Sequence, residues 1–379
     1  MKNFGIHIKY KRSTFCFFVA YTLLIVYRIL KSSTLGIDDK GVTYIIVCAL
    51  FLAHILTIKA NLKRLLISVC VAIVVIFYII RTFDPVIPVV TLALIASKDI
   101  EFKTIVRQSL SIMVSMVLLI VVLSLLGVLK DNVSYRTLSG TVVACHGVGF
   151  NHSSALPTYY CFIFMGYYYL KNRRVSLFNA LCWLLGGYLI YSFCAERLRF
   201  YMLFIIALFM LIEPIAINRY EKVKIIIMTL IYPITALSSI LLGYFYNPTN
   251  PIMYDLNIFL SNRLYFQNYS FKNLAIPLFG QRIAMGDGVL KNLENTYFYI
   301  DSAYTYVLFS YGIIISILLI IAYVYGSRKS CKFNNYRIMV CFFIMAIDSV
   351  VGNQLLSIWS IPILFYPFCR EDTRTLGKR

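Results

Sequence analysis

The feature that most constrains this chain is the recurrence of apolar runs long enough to cross a bilayer. The run from Thr14 to Leu30 follows four basic residues, Lys2, Lys9, Lys11 and Arg12, and no small-residue cleavage site comes after it. It therefore reads as a signal anchor and first span rather than a removable leader. Further runs fall near 42–58, 65–80, 86–97, 108–128, 156–170, 175–192, 199–217, 225–245, 302–325, 338–350 and 354–368. Composition agrees, with 60% of the 379 residues hydrophobic and 14% charged, against roughly 45–50% and 25% in soluble domains. At about 20 apolar residues per crossing, the sequence predicts an all-α polytopic integral membrane protein of about 12 transmembrane helices, one membrane domain over 1–379. A soluble globular enzyme, a disulfide scaffold and a disordered tail are excluded.

The net charge of +20 would point to nucleic acid in a soluble chain. In a polytopic membrane protein an excess of Lys and Arg instead marks cytoplasmic loops, so no nucleic-acid partner is expected. With the N-terminus inside, 24 of the 36 basic residues fall in the inner loops, which predicts both termini cytoplasmic. Two crossings look irregular. Val86 to Ala96 is short and carries Pro85 and Pro88, as a re-entrant segment would, and the last pair is interrupted by Asp348 and by Gly352-Asn353-Gln354. Between the ninth and tenth spans lies a large extracytoplasmic loop, 246–300. Its middle, Asp255 to Leu274, spaces apolar residues as a helix does and is rich in aromatics, which predicts a helix lying at the membrane interface.

No two of the ten cysteines lie two residues apart, so zinc and iron–sulfur ligand spacings are missing, and no metal or cofactor is expected. Cys145 and Cys194 both reach the outer face and are the candidate disulfide. There is no P-loop, GxGxxG or GxSxG. Polar chemistry gathers on the predicted outer face. Cys145 to Ser154 holds His146, Asn151, His152 and two serines beside glycines that let backbone approach a ligand. These are hydrogen-bond partners suited to a sugar, or else Asn151 or Ser153 caps the span beginning near Leu156. Glu196 and Arg199, three residues apart, can pair on one helical face; Arg197 points elsewhere and is the freer cation. Arg263 and Arg282 lie in the large loop, and Asp301 opens the tenth span, where a carboxylate also favours the helix dipole. Outward arginines with one carboxylate suit a diphosphate substrate: the guanidinium forks stabilise the leaving group while the acid takes a hydroxyl proton.

These residues resemble a known family. Gly149-Phe150-Asn151-His152 before a span is similar to the Gly-Phe-x-His-Pro-Asn element of Wzy-type polysaccharide polymerases of Gram-positive bacteria. In order follow Ala195-Glu196-Arg197-Leu198-Arg199-Phe200, similar to their Ser-Arg-x-x-Phe, and Ser261-Asn262-Arg263-Leu264, similar to Ser-Gly-Arg-Leu. Leu278-Phe279-Gly280 is similar to Leu-Phe-Gly, and Ile300-Asp301-Ser302-Ala303-Tyr304 through Tyr311-Gly312 to Ile-Asp-Asn-x-Tyr with its downstream Tyr-Gly. The chain departs at Ser153-Ser154, where the family has Pro-Asn, at Glu196, where it has Ser, and at Asn262, where it has Gly.

The resemblance implies a membrane glycosyltransferase of the bacterial cytoplasmic membrane that joins undecaprenyl-diphosphate-linked oligosaccharide repeat units on the outer face, without a metal. It implies catalytic roles for Asp301 and His152, diphosphate contacts from Arg197, Arg263 and Arg282, and substrate contacts from Asn151, His146, Arg199 and Tyr304. A flippase and a chain-length regulator are the partners to expect besides membrane lipid. Two other classes stay open: a ligase using the same lipid diphosphate, and a flippase or secondary carrier, which would place its charges inside the bundle.

Overall fold

A backbone in lipid has no water to bond, so an apolar run satisfies its own N–H and C=O groups by coiling into helix. A computed structural model of the chain describes residues 14–37, 41–57, 78, 80–82, 84–138, 141–171, 176–216, 221–286 and 298–370. The N-terminal basic residues, nearly all of the expected span 65–80, Lys59, Lys63, Arg64, Arg173, Arg174, Arg219, the loop tip 287–297 and the last nine residues lie outside the described residues.

In chain order the helices are α1 (Phe15–Ser32), α2 (Val42–Thr57), α3 (Val86–Ala96) and α4 (Phe102–Leu125), then α5 (Ala155–Leu170), α6 (Leu177–Cys194), α7 (Arg197–Ala216) and α8 (Glu221–Tyr244). After them come α9 (Pro251–Phe259), α10 (Arg263–Asn273), α11 (Ala303–Lys332) and α12 (Tyr336–Val351). Of these, α1, α4, α6, α8 and α11 are long and apolar enough to cross a membrane. The surface is apolar to match, with Leu56, Leu125 and Phe178 among many large hydrophobic side chains left open, as befits a face in contact with lipid rather than water.

Four features differ from the sequence expectation. First, the protein is not wholly α-helical. Strands β1 (Val133–Leu138) and β2 (Thr141–His146) form an antiparallel hairpin with Val133 opposite His146, where β-branched and aromatic residues favour a pleated ribbon. Second, the stretch expected as one interfacial helix is two. The chain turns between α9 and α10 through Ser261 and Asn262, both at positive φ. Then α10 packs inward on α8, with Asn268 donating to the Gly243 and Tyr244 carbonyls, while α9 leaves Ile252, Tyr254, Ile258 and Phe259 open.

Third, the final crossing is not a helix. Residues 352–369 run back as buried irregular chain with one 3-10 turn, Pro362–Phe365. Its otherwise orphaned carbonyls are met by tyrosines: Tyr21 of α1 donates to Ile358 and Tyr323 of α11 to Leu355, each at 2.7 Å. Fourth, α11 breaks at Gly312, whose φ of 88° no helix contains. The segment 277–281 docks in the break, with Ile313 N–H donating to Pro277 and Gln281 N–H to Ser310, each at 3.0 Å.

The chain reversals gather at two ends of the bundle. One end carries the hairpin, the 147–154 loop, the α6–α7 turn, α9, α10 and Asp301. At the other, Arg337 of α12 donates to Glu213 of α7 at 2.8 Å and to the Lys171 carbonyl after α5, and Arg370 N–H bonds the Ile100 carbonyl before α4.

Candidate functional site

The first of these ends brings Arg136, Glu196, Arg199, Arg263 and Asp301, from distant parts of the chain, into electrostatic reach of one another. Arg263 is placed by a knot of amides: buried Asn257 accepts from Tyr265 N–H and donates to Asn262 Oδ1, each at 3.0 Å, and the Asn262 N–H returns to the Asn257 carbonyl at 2.8 Å. One arm of its guanidinium donates to the Leu260 carbonyl at 3.0 Å, and Nε lies 3.4 Å from Asp301 Oδ2. That separation makes an ion pair rather than a hydrogen bond.

Asp301 is fixed from both sides. Ile300 and Ser302 are fully buried; the Ser302 hydroxyl meets Ser239 at 2.8 Å and reaches the Ser349 carbonyl. The carboxylate lies deep in the protein, where burial raises its pKa above the ordinary aspartate value while the Arg263 charge pulls it back. Yet 36% of the side chain stays open. A carboxylate among such charges that keeps an open face can meet a bound ligand.

Two further pairs line the same end. Glu196 sits in the α6–α7 turn, where Ala195 takes the left-handed conformation, and its Oε2 is 3.1 Å from Arg136 of the hairpin. Arg199, one turn into α7, pairs with Asp348 of α12, both nearly enclosed. The Arg199 guanidinium lies 5.8 Å from the Phe162 ring and presses on Gly352, where a Cβ would collide with it. The charges of Glu196, Arg136 and Arg199 all act on Asp301. A small cavity lined by Pro157, Glu196 and Arg199 sets the start of α5 beside them.

The expected Glu196–Arg199 pair is therefore replaced by two others, because the hairpin delivers Arg136 and α12 delivers Asp348. Among the arginines of the α6–α7 turn, Arg199 joins the cluster; Arg197 is half-exposed and has no partner among the described residues. Arg282 is exposed and equally unpartnered. Tyr304 lies inside the bundle, 4% exposed, meeting Thr235 at 2.8 Å and donating to the Ala346 carbonyl at 3.1 Å.

In the 147–154 loop neither expected cap forms. Ser154 precedes α5 with no side-chain cap bond, Asn151 turns to donate to the Lys31 carbonyl, and Ser153 Oγ is buried without a partner. His152 is exposed and free among the described residues. His146 Nδ1 is 2.6 Å from Asp131 Oδ2, and the other carboxylate oxygen accepts from Val148 N–H at 2.8 Å. Burial pushes the Asp131 carboxyl up, but these bonds and the His146 charge outweigh it and leave the pKa lowered. Cys145 and Cys194 are free buried thiols rather than a disulfide. Among the described residues no three His, Cys, Asp or Glu side chains gather as metal ligands would.

Sequence reasoning missed Arg136 and gave Asp348 no role. The second left a readable signal: an aspartate within an apolar helix calls for a cationic partner or a function. Arg136 offered none, since only the hairpin register brings it to Glu196. No protein-family model, characterised protein or solved structure matches the chain.

Proposed function

We propose that this end of the bundle is the extracytoplasmic active site of a Wzy-type polysaccharide polymerase of the bacterial cytoplasmic membrane. The observation that carries the reading is the Asp301–Arg263 pair, a deep but open carboxylate 3.4 Å from a guanidinium, with the Arg199 and Arg136 charges behind it. A lipid-diphosphate-linked glycan enters with its diphosphate against Arg263, whose fork suits phosphate oxygens. A sugar hydroxyl of a second glycan gives its proton to Asp301 as its oxygen bonds to the anomeric carbon. The bond from that carbon to the diphosphate breaks, and the lipid diphosphate leaves with the electron pair, its charge met by Arg263. The expected topology, about 12 crossings with both termini cytoplasmic, supports an outer-face site.

A second reading is favoured by the break in α11, where Tyr311 donates to Asp84 at 2.5 Å: broken helices with buried polar pairs also build carriers. Gene deletion followed by a glycan ladder separates the classes. Loss of a polymerase leaves single repeat units exposed outside, loss of a carrier leaves none there, and loss of a ligase leaves polymer unattached. Complementation with Asp301→Asn or Arg263→Gln is expected to leave single repeats with protein still in the membrane. Normal chain length with Asp301→Asn removes the carboxylate from the mechanism.

A further inference from the structure

At the same end of the bundle as Asp301, the last turn of α1 carries two cations that pair with no carboxylate among the described residues. Arg28 and Lys31, three residues apart, share a face of the helix. Arg28 is held rigidly, with its guanidinium 3.9 Å above the centre of the buried Trp359 ring and one N–H donating to Tyr44 Oη at 2.8 Å. A guanidinium has five N–H donors, so most remain unused. Lys31 meets only tyrosines, with Nζ 5.7 Å from the Tyr27 ring and 6.0 Å from the Tyr44 ring. Elsewhere at this end Arg263 has Asp301, Arg136 has Glu196, Arg199 has Asp348 and Asp131 has His146, while the half-exposed Arg197 and the exposed Arg282 have no partner among the described residues. Arg28 is part-buried and Lys31 exposed, so the pair is held by aromatic rings yet open to an anion arriving from outside.

The surroundings connect this pair to the site already described. The loop bearing His152 is fastened to α1, not to Asp301: Asn151 N–H donates to the Ser32 carbonyl at 2.9 Å, its side chain donates to the Lys31 backbone carbonyl, and Thr34 N–H donates to the Gly149 carbonyl at 2.9 Å. Within α5, Tyr159 meets Ser32 of α1 at 3.1 Å, and Phe162, one turn on, faces Arg199. The buried segment after α12 touches both places, Gly352 against Arg199 and Trp359 beneath Arg28.

We infer that Arg28 and Lys31, beneath the Asn151–His152 loop, form a second phosphate subsite that holds the diphosphate of another lipid-linked glycan while the first lies at Arg263 and Asp301. The inference rests on the polymerase reading, in which both substrates carry a lipid diphosphate but only one loses it. The second diphosphate must be gripped without being activated, and a pair of cations that no described carboxylate engages does that. With the acceptor anchored at α1, the exposed His152 lies over its sugar, where it orients the attacking hydroxyl.

The test counts ligands on the full chain in phosphatidylcholine nanodiscs, with farnesyl diphosphate as the probe and native mass spectrometry as the readout. Two molecules per chain are expected for the wild type. Arg28→Gln combined with Lys31→Gln should leave one, and Arg263→Gln should also leave one, by emptying the other subsite. Arg28→Lys, which keeps the charge over Trp359 but loses the fork, should weaken the α1 subsite at least tenfold and guards against loss of fold. A single molecule per wild-type chain, lost with Arg263→Gln and untouched by the α1 changes, overturns the inference. So does displacement of the α1 ligand by phosphatidylglycerol at equal mole fraction, which would make it a general headgroup contact. The count is independent of the glycan ladder: a polymerase ladder with one ligand sinks only this subsite, and a carrier ladder with two sinks only the reaction.

Discussion

At the scale of single residues the Asp301–Arg263 pair makes a prediction with a definite sign. Burial raises the Asp301 carboxyl and Arg263 lowers it, so the base is lost as the pH falls through a pKa above the ordinary aspartate value of about 3.9. On the proposed polymerase reading, chain growth should decline on acidification at a higher pH than an ordinary carboxylate allows. Arg263→Gln should move that acid limb further upward while costing roughly 100- to 1000-fold in rate, as loss of one transition-state donor does. A pH–rate profile in proteoliposomes checks both, and a limb that stays put or moves down in the variant removes Arg263 as the charge partner. Arg199 calls for a different experiment, because it is buried against Asp348. Removing either partner strands the other charge at roughly 3–5 kcal/mol, whereas replacing both with apolar groups can restore stability. Thermal unfolding in detergent should therefore place Arg199→Met and Asp348→Leu singly well below the double variant. Additive losses in the double would mean that the pair is not coupled.

Among the elements, α11 is the one whose break matters most to the site. Gly312 is at positive φ, and a Cβ there would collide with the Leu278 carbonyl and Gly280 N–H. Gly312→Ala should undock 277–281 and remove the Ser310 and Ile313 hydrogen bonds. Protease sensitivity of that segment would report the loss, and unchanged protection would show that the docking survives. Hydropathy over 302–325 does not distinguish two half-helices from one long span; Tyr311-Gly312 stands out only by resemblance. The hairpin is hidden for a similar reason, since its short alternating strands lie between long helices that dominate the apolar pattern. Asp301 is legible because a charge at the edge of an apolar run is conspicuous, and Arg263 because it sits on the amphipathic stretch of the large loop and in the segment similar to Ser-Gly-Arg-Leu. Their approach to Arg136 is not, because it depends on a β register and on the turn at Ala195, which leave no periodic signal.

For the whole molecule the charge asymmetry and the geometry make one joint statement. Counting basic residues puts the loops after α3, α5 and α11 inside, and the large loop outside. The structure independently gathers Arg337, Glu213 and the Lys171 carbonyl at one end, and Arg136, Glu196, Arg263 and Asp301 at the other. From α4 to α12 the loops that the charge count puts on one side lie at one end of the bundle, even though the last return is irregular chain rather than the expected helix. Three single cysteines test the agreement: Tyr135→Cys on the hairpin, Lys272→Cys at the end of α10 and Asp99→Cys before α4, all at exposed positions. In intact cells a membrane-impermeant maleimide, measured against the unsubstituted chain with its own thiols, should label the first two. Asp99→Cys should react only after the membrane is opened. Protected hairpin and α10 cysteines with an accessible Asp99→Cys would turn the molecule over, placing Asp301 in the cytoplasm, where no exported glycan reaches it. Labelling of Tyr135→Cys and Asp99→Cys from the same side would break the bundle's two-ended arrangement itself, since α4 alone lies between them.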